Sequence, residues 1–190
     1  MAALIDRGDD RCMNHADHVA LIRGGVEGAG GRWLELGAGE GAFTLALADV
    51  LGPGGAIVAL DRDGRALERA AADVGATHPG VSLTRVTGDF STRLPPGPFD
   101  GVLAANSLHF VRDRRPVLTG IRAALAPEGR LVIVEYDADR GNHWVPHPFT
   151  FETWRREAVA AGFQEPQLIH RVPSRFLGAI YGASCNRPGG

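Results

Sequence analysis

Residues 33–43 read Trp33-Leu-Glu-Leu-Gly-Ala-Gly-Glu-Gly-Ala-Phe43, and this stretch decides the fold. A short apolar run leads into glycines at 37, 39 and 41, and residues 43–51 then place Leu45, Leu47, Val50 and Leu51 at helical spacing. A buried strand, a tight turn and a helix follow from that order. Glycines suit the turn because the chain must bend sharply while its backbone comes close to a ligand, and the helix start offers unpaired N–H groups. Asp61 ends the next apolar run, 56–60, twenty residues after Gly41. A carboxylate at that point of a doubly wound sheet is placed to accept the hydroxyls of a ribose. The competing reading of Asp61 is an N-cap for the helix that follows, and both can hold together.

Working outward, the rhythm continues. A helix is predicted over 15–26 with Asn14 as N-cap, and another over 64–74. Strands are predicted at 81–86, 100–104 and 131–134, with a helix over 115–125 ending before Pro127-Glu128-Gly129. Short buried strands alternating with helices make a parallel sheet. Beyond Tyr136 the pattern breaks into an irregular loop over 137–150, a helix over 151–161 with Gly162 as its cap, and strands at 167–172 and 175–181. The last two are joined so closely that they must pair as an antiparallel hairpin.

Composition narrows the chemistry. All 20 basic residues counted as Lys plus Arg are arginine in this 190-residue chain of net charge −2. Without lysine there is no Walker A loop, no Schiff base to pyridoxal phosphate and no kinase phosphate-holding lysine. Near-neutral, mixed charge gives no basic face for nucleic acid. Cys12 and Cys185 lack metal spacing, and no apolar stretch is long enough for a membrane span. The expectation is a single cytoplasmic domain over 1–190, monomer or homodimer, with 1–12 as a flexible leader, no metal, and no nucleic-acid or membrane partner.

The glycine loop also satisfies G-x-G-x-x-A, the dinucleotide pattern. An NAD(P)-dependent oxidoreductase is disfavoured because little chain remains for a second half, and because single-domain reductases use a tyrosine–lysine pair. Glu35 before the glycines and Asp89 in Gly88-Asp-Phe90 also suit a cationic, phosphate-free cofactor better than a pyrophosphate.

Taken together, ELGAGEG at 35–41, VALD at 58–61, GDF at 88–90, FDGVLAANSLHF at 99–110 and LAPEGRLVIVEY at 125–136 resemble the class I S-adenosylmethionine-dependent methyltransferases. The resemblance implies an α/β, Rossmann-like, doubly wound seven-stranded sheet, mostly parallel with a C-terminal antiparallel hairpin, and helices on both faces. It implies that S-adenosylmethionine is held by Glu35, Gly37, Ala38, Gly39, Gly41, Asp61, Arg62, Asp89, Phe90 and Asn106. In that arrangement Glu35, Gly37 and Gly39 line the methionine end, Asp61 holds the ribose, Asp89 bonds the adenine amino group beside Phe90, and Asn106 underlies the methionine. Asn106-Ser-Leu-His109 departs from the Asn/Asp-Pro-Pro-aromatic pattern of amino-methylating nucleic-acid enzymes, so the expected acceptor is a small molecule.

Methyl transfer from a sulfonium needs alignment and exclusion of water more than a fixed triad. Any general base must be histidine, tyrosine or a carboxylate, which singles out His109, Tyr136 and His143. For His109, base, pocket wall and structural histidine all remain open. The 137–150 loop reads as a lid or substrate loop. His15, Asp17 and His18 start a helix that covers the methionine end in this family or is simply solvated, and Arg112, Arg114 and Arg115 read as a solvated basic face. A non-catalytic S-adenosylmethionine sensor or accessory protein is the alternative of a different class.

Overall fold

The computed structural model describes residues 13–174 and 176–189. The predicted leader at 1–12, with Cys12, lies outside them. Helices are α1 (His15–Val26), α2 (Ala42–Leu51), α3 (Gly64–Thr77), α4 (Arg115–Ala124) and α5 (Phe151–Ala160). Strands are β1 (Arg32–Leu36), β2 (Ala56–Asp61), β3 (Ser82–Thr87), β4 (Phe99–Ala105), β5 (Leu125–Tyr136), β6 (Gln167–Pro173) and β7 (Ala179–Asn186). They form one seven-stranded sheet in the order β3-β2-β1-β4-β5-β7-β6. β1 to β5 run parallel, and β7 lies antiparallel between β5 and β6.

Strand alternation builds both faces. Leu34, Leu36, Val102, Ala104, Leu131 and Ile133 pack with Leu118 and Ile121 of α4 and Trp154 of α5. The intervening Trp33, Leu103, Ala105, Val132 and Val134 pack with Ile22 of α1 and Leu47 of α2. β1, β4 and the second half of β5 are thus buried on both sides, which is why their runs are largely apolar, whereas β3 and β6 at the sheet's edges are mostly exposed.

Helix ends follow local chemistry. Asn14 caps α1 in a reciprocal box with Asp17. Asn14→Ala is expected to lower stability by about 1 kcal/mol, measurable as a shift in the urea midpoint; an unchanged midpoint would show that α1 is held by packing alone. α5 ends in a Schellman turn, with Gly162 N–H donating to Val159 O and Phe163 N–H to Ala158 O, and with Gly162 at φ +86°. Asp63, not Asp61, caps α3, accepting from the amides of Arg65 and Ala66.

Two strands, β5 and β7, differ from expectation by more than a residue at an end. β5 begins at Leu125 because Leu125 pairs with Phe99 before the Pro127-Glu128-Gly129 turn, after which the register resumes at Gly101 and Arg130. β7 occupies 179–186 rather than 175–181. Phe176 and Leu177 suggested a strand, yet Phe176 is half exposed in the hairpin turn. The strand instead continues through Gly182, Ala183 and Ser184, whose small size hides a strand signal. That size is required: a Cβ at Gly182 would sit 1.9 Å from the Leu21 carbonyl oxygen, so α1 rests directly on β7.

Candidate active site

A cleft of about 720 Å³ opens at the C-terminal ends of β1, β2 and β4. Its lining includes Gly37, Gly39, Asp61, Arg62, Phe90 and Asn106 from the sequence-derived set, joined by Gly88, Ser91, Ser107 and Phe110–Arg112. That volume is in the range that holds a whole cofactor-sized ligand.

The glycine loop is pinned from within. Gly37 and Ala38 both donate their N–H to Leu60 O (2.8 and 3.2 Å), Gly41 donates to Ala38 O, and Gly39 donates to Asp61 Oδ2 at 2.8 Å. The other Asp61 oxygen accepts from Asp63 N–H. These amides are therefore committed inside the protein rather than gathered to grip a pyrophosphate, which weighs further against a dinucleotide. Gly37 has φ +73°, and a Cβ there would lie 2.7 Å from Ser107 Cβ. Only glycine lets β1 and β4 approach so closely at the cleft.

Glu35 does not line the cleft. It is 2% exposed behind the loop and accepts from Thr44 Oγ1 at 2.6 Å. Burial pushes its carboxyl up from 4.5 to about 8, against the opposing effect of the Thr44 hydrogen bond. Ala38 and Gly41 shape the loop rather than the cleft lining, Gly41 standing at the α2 N-cap with φ 92°. Asp89 stands at the rim, where its carboxylate accepts from Ser91 N–H and Oγ and from Arg62 at 2.6 Å. The Ser91 hydroxyl and then Arg62 hold its carboxyl below the usual range.

Of the three candidates for a base, none opens into the cleft. His109 is 2% exposed, and its Nδ1 lies 2.7 Å from Glu135 Oε2. Tyr136 is partly buried with its ring between those of His109 (6.0 Å) and Phe176 (5.9 Å). His143 lies on the loop beyond β5, edge-on to the exposed Trp144. That loop does reach the site's border, since His147 N–H donates to His109 O. The basic cluster splits: Arg115 pairs with Asp113, whereas Arg114 is buried, bidentate to Glu157 and stacked on Phe149, and Arg112 alone lines the cleft. At the α1 side, His15 faces Asp49 at 3.5 Å and His18 stacks on Phe43.

Sequence reasoning missed Glu135 and Ser107. Glu135 is fully buried on β5, with Oε1 accepting from the amides of Ser107, Leu108 and His109. One signal was legible, a lone carboxylate inside the apolar run at 131–134 and its extension. Ser107 Oγ and Asn106 Oδ1 are buried atoms without a protein partner at the cleft wall. Leaving such atoms unpaired costs about 1–3 kcal/mol each, so a ligand that satisfies them gains correspondingly.

The strand order, with the glycine turn and Asp61 at the ends of β1 and β2, is that of the class I S-adenosylmethionine-dependent methyltransferase fold. The chain belongs to the methyltransferase-domain family, whose sequence pattern matches residues 34–131. A probable cobalt-precorrin-6B C(15)-methyltransferase (decarboxylating) of Thermoplasma volcanium is 32% identical over 84 residues, which are 44% of this chain and 41% of that protein. The chain therefore matches less than half of that relative's length.

Among solved structures, the YcgJ protein of Bacillus subtilis superposes with TM-score 0.71 at 14% identity, covering 93% of this chain and all of that one. An arsenic(III) S-adenosylmethionine methyltransferase of Chlamydomonas reinhardtii gives TM-score 0.68 at 20% identity, covering 86% of this chain and 64% of that one. A possible histamine N-methyltransferase of Thermotoga maritima gives 0.65 at 18%, covering 91% and 90%. At such identities these likenesses establish the fold. The residues present fit S-adenosylmethionine by their chemistry: a carboxylate at the end of β2, two buried oxygens without a protein partner, and glycine-loop amides committed within the protein rather than to a phosphate. Among the described residues, no helix is long and apolar enough to cross a membrane.

Proposed function

We propose that the protein transfers a methyl group by in-line displacement to a small-molecule acceptor. The observation that carries this reading is a row of rings leading away from the cleft. Phe110, which lines it, stacks on His109 at 4.3 Å, and His109 leads through Tyr136 to Phe176. Phe110 is 60% exposed and Phe176 48%, so the two ends of the row offer apolar ring surface to a compact acceptor while His109 between them is buried.

In this reading Asp61 accepts the ribose hydroxyls, its carboxylate held in place by the Gly39 and Asp63 amides. Phe90 packs beside the adenine, Asp89 takes its amino group at the rim, and Arg62 flanks the nucleoside. Asn106 supports the methionine portion. Bound S-adenosylmethionine supplies a methyl on a sulfonium that is already a good leaving group. What the chain contributes is alignment, exclusion of water and a scaffold for the acceptor. His109, Tyr136 and His143 remain the candidates for accepting a proton from an acceptor that must lose one, with Tyr136 standing in the row of rings.

S-adenosylhomocysteine at one hundred times its Kd is expected to stabilise the folded chain by about 2.7 kcal/mol, seen as a raised Tm. NAD(P)H is expected to leave Tm unchanged. Transfer of labelled methyl to a small-molecule metabolite fraction then tests the reaction. Binding without transfer to any fraction would favour the non-catalytic alternative, and a response to NAD(P)H alone would overturn both.

A further inference from the structure

We propose that Glu135 is the positioning residue of the cofactor cleft, fixing the 106–109 turn so that Asn106 and Ser107 present their side-chain oxygens to bound S-adenosylmethionine. The inference rests on the assignment of the cofactor and goes beyond it, because Glu135 itself does not line the cleft.

Glu135 lies on a strand flanked by β4 and β7, where it pairs across from Tyr181. This strand is paired on both sides, and the turn after β4 leans on it, Asn106 N–H donating to Val134 O. Asn106 has φ +49°, a left-handed backbone that asparagine tolerates better than other side chains but that still needs external hold. Glu135 supplies the hold. Its Oε1 accepts from the amides of Ser107 (3.2 Å), Leu108 (2.8 Å) and His109 (3.2 Å), closing the start of the single 3₁₀ turn at 108–110. Its Oε2 takes His109 Nδ1 at 2.7 Å.

An ionised carboxylate can only accept, so the network assigns the proton to His109 Nδ1. Four donors converge on one side chain with no exposed surface. One residue earlier along the turn, two buried oxygens, Asn106 Oδ1 and Ser107 Oγ, have no protein partner. The asymmetry is the point. Backbone donors of the turn are satisfied from inside the protein, while the side-chain oxygens of two residues that line the cleft are left without a protein partner. His109 O also accepts from His147 N–H, so the loop beyond β5 leans on the same turn.

A carboxylate that merely stabilised the sheet would affect folding without affecting ligand affinity beyond it. The test compares Glu135→Gln with Glu157→Gln, which breaks the Arg114–Glu157 pair between α4 and α5. Titration calorimetry with S-adenosylhomocysteine is run on the full chain, well below each variant's Tm. Glu135→Gln is expected to bind about tenfold more weakly, the loss from misplacing two ordinary hydrogen bonds. Glu157→Gln is expected to lose Tm while keeping wild-type affinity.

Ring ¹⁵N spectra of His109 should show the proton on Nδ1 in the wild type and its transfer to Nε2 when the glutamine amide faces the ring. Ser107→Ala provides a second arm, since it removes an unpartnered hydroxyl and should fold at least as well as wild type while binding several-fold more weakly. Wild-type affinity in Glu135→Gln or in Ser107→Ala overturns the proposal. Equal weakening by Glu135→Gln and Glu157→Gln also overturns it. Failure of the wild type to bind S-adenosylhomocysteine at all would instead overturn the cofactor site, and the proposal with it.

Discussion

Gly37→Ala is expected to remove measurable cofactor binding while leaving a folded protein. Two effects add at this position. The backbone sits at φ +73°, where a Cβ costs about 1–2 kcal/mol. The new methyl would also stand 2.7 Å from Ser107 Cβ, so the turn after β4 must retreat. That turn carries Asn106 and Ser107, and its displacement pulls on three amides held by Glu135. The expected result is a loss of S-adenosylhomocysteine affinity of about hundredfold or more, with stability lower by about 2–3 kcal/mol in urea melts. Gly28→Ala is the control, because its φ of +71° is similar but a Cβ there meets nothing within 4 Å. It should lose about 1 kcal/mol of stability and no affinity. Affinity within threefold of wild type in Gly37→Ala would show that the β1–β4 approach does not shape the cofactor cleft.

The second large effect concerns Glu35. Its folded carboxyl is raised to about 8 from 4.5, so between those values the folded chain holds a proton that the unfolded chain has released. Stability attributable to this group is therefore fully present below about pH 4.5 and declines as pH rises toward 8. Glu35→Gln keeps the shape and the acceptor for Thr44 Oγ1 but cannot ionise. The stability difference, variant minus wild type, should grow by about 4 kcal/mol from pH 4.5 to beyond 8. Urea midpoints across that window measure it, and comparing the two proteins cancels every other titrating group. A difference that stays flat with pH would mean that Glu35 is ionised in the fold. Because Glu35 lies outside the cleft, S-adenosylhomocysteine affinity at neutral pH should change little.

Much of this architecture was legible because strands buried on two faces leave continuous apolar runs, and glycine turns punctuate them. α1 has its predicted limits, and the order of elements agrees throughout. Legibility failed where residue size substitutes for hydrophobicity. The β7 run is small because α1 presses on it, so the more apolar Phe176-Leu177 drew the strand toward the turn. At the site, Gly37, Gly39 and Asp61 were singled out from their spacing and Asn106 from the family resemblance, and all four line the cleft. Glu135 was hidden because its partners are amides almost thirty residues away, contacts that leave no local pattern. The same blindness joined Arg114 to its exposed neighbours, although a glutamate 43 positions further on draws it into the interior.

The position of β7 has a consequence for how the chain comes off the ribosome. β5 completes the parallel half of the sheet by residue 136, but the strand that covers its outer edge is Ala179–Asn186. During synthesis, β5 must wait with unpaired backbone groups while α5, β6 and the hairpin turn are made. β6 cannot take its place, since β6 bonds only to β7 in the sheet order. An unpaired, apolar central strand is a template for intermolecular pairing. A nascent chain stalled between residues 136 and 179 thus exposes its stickiest edge, and termination or slow decoding there selects for aggregation or for capture by a chaperone.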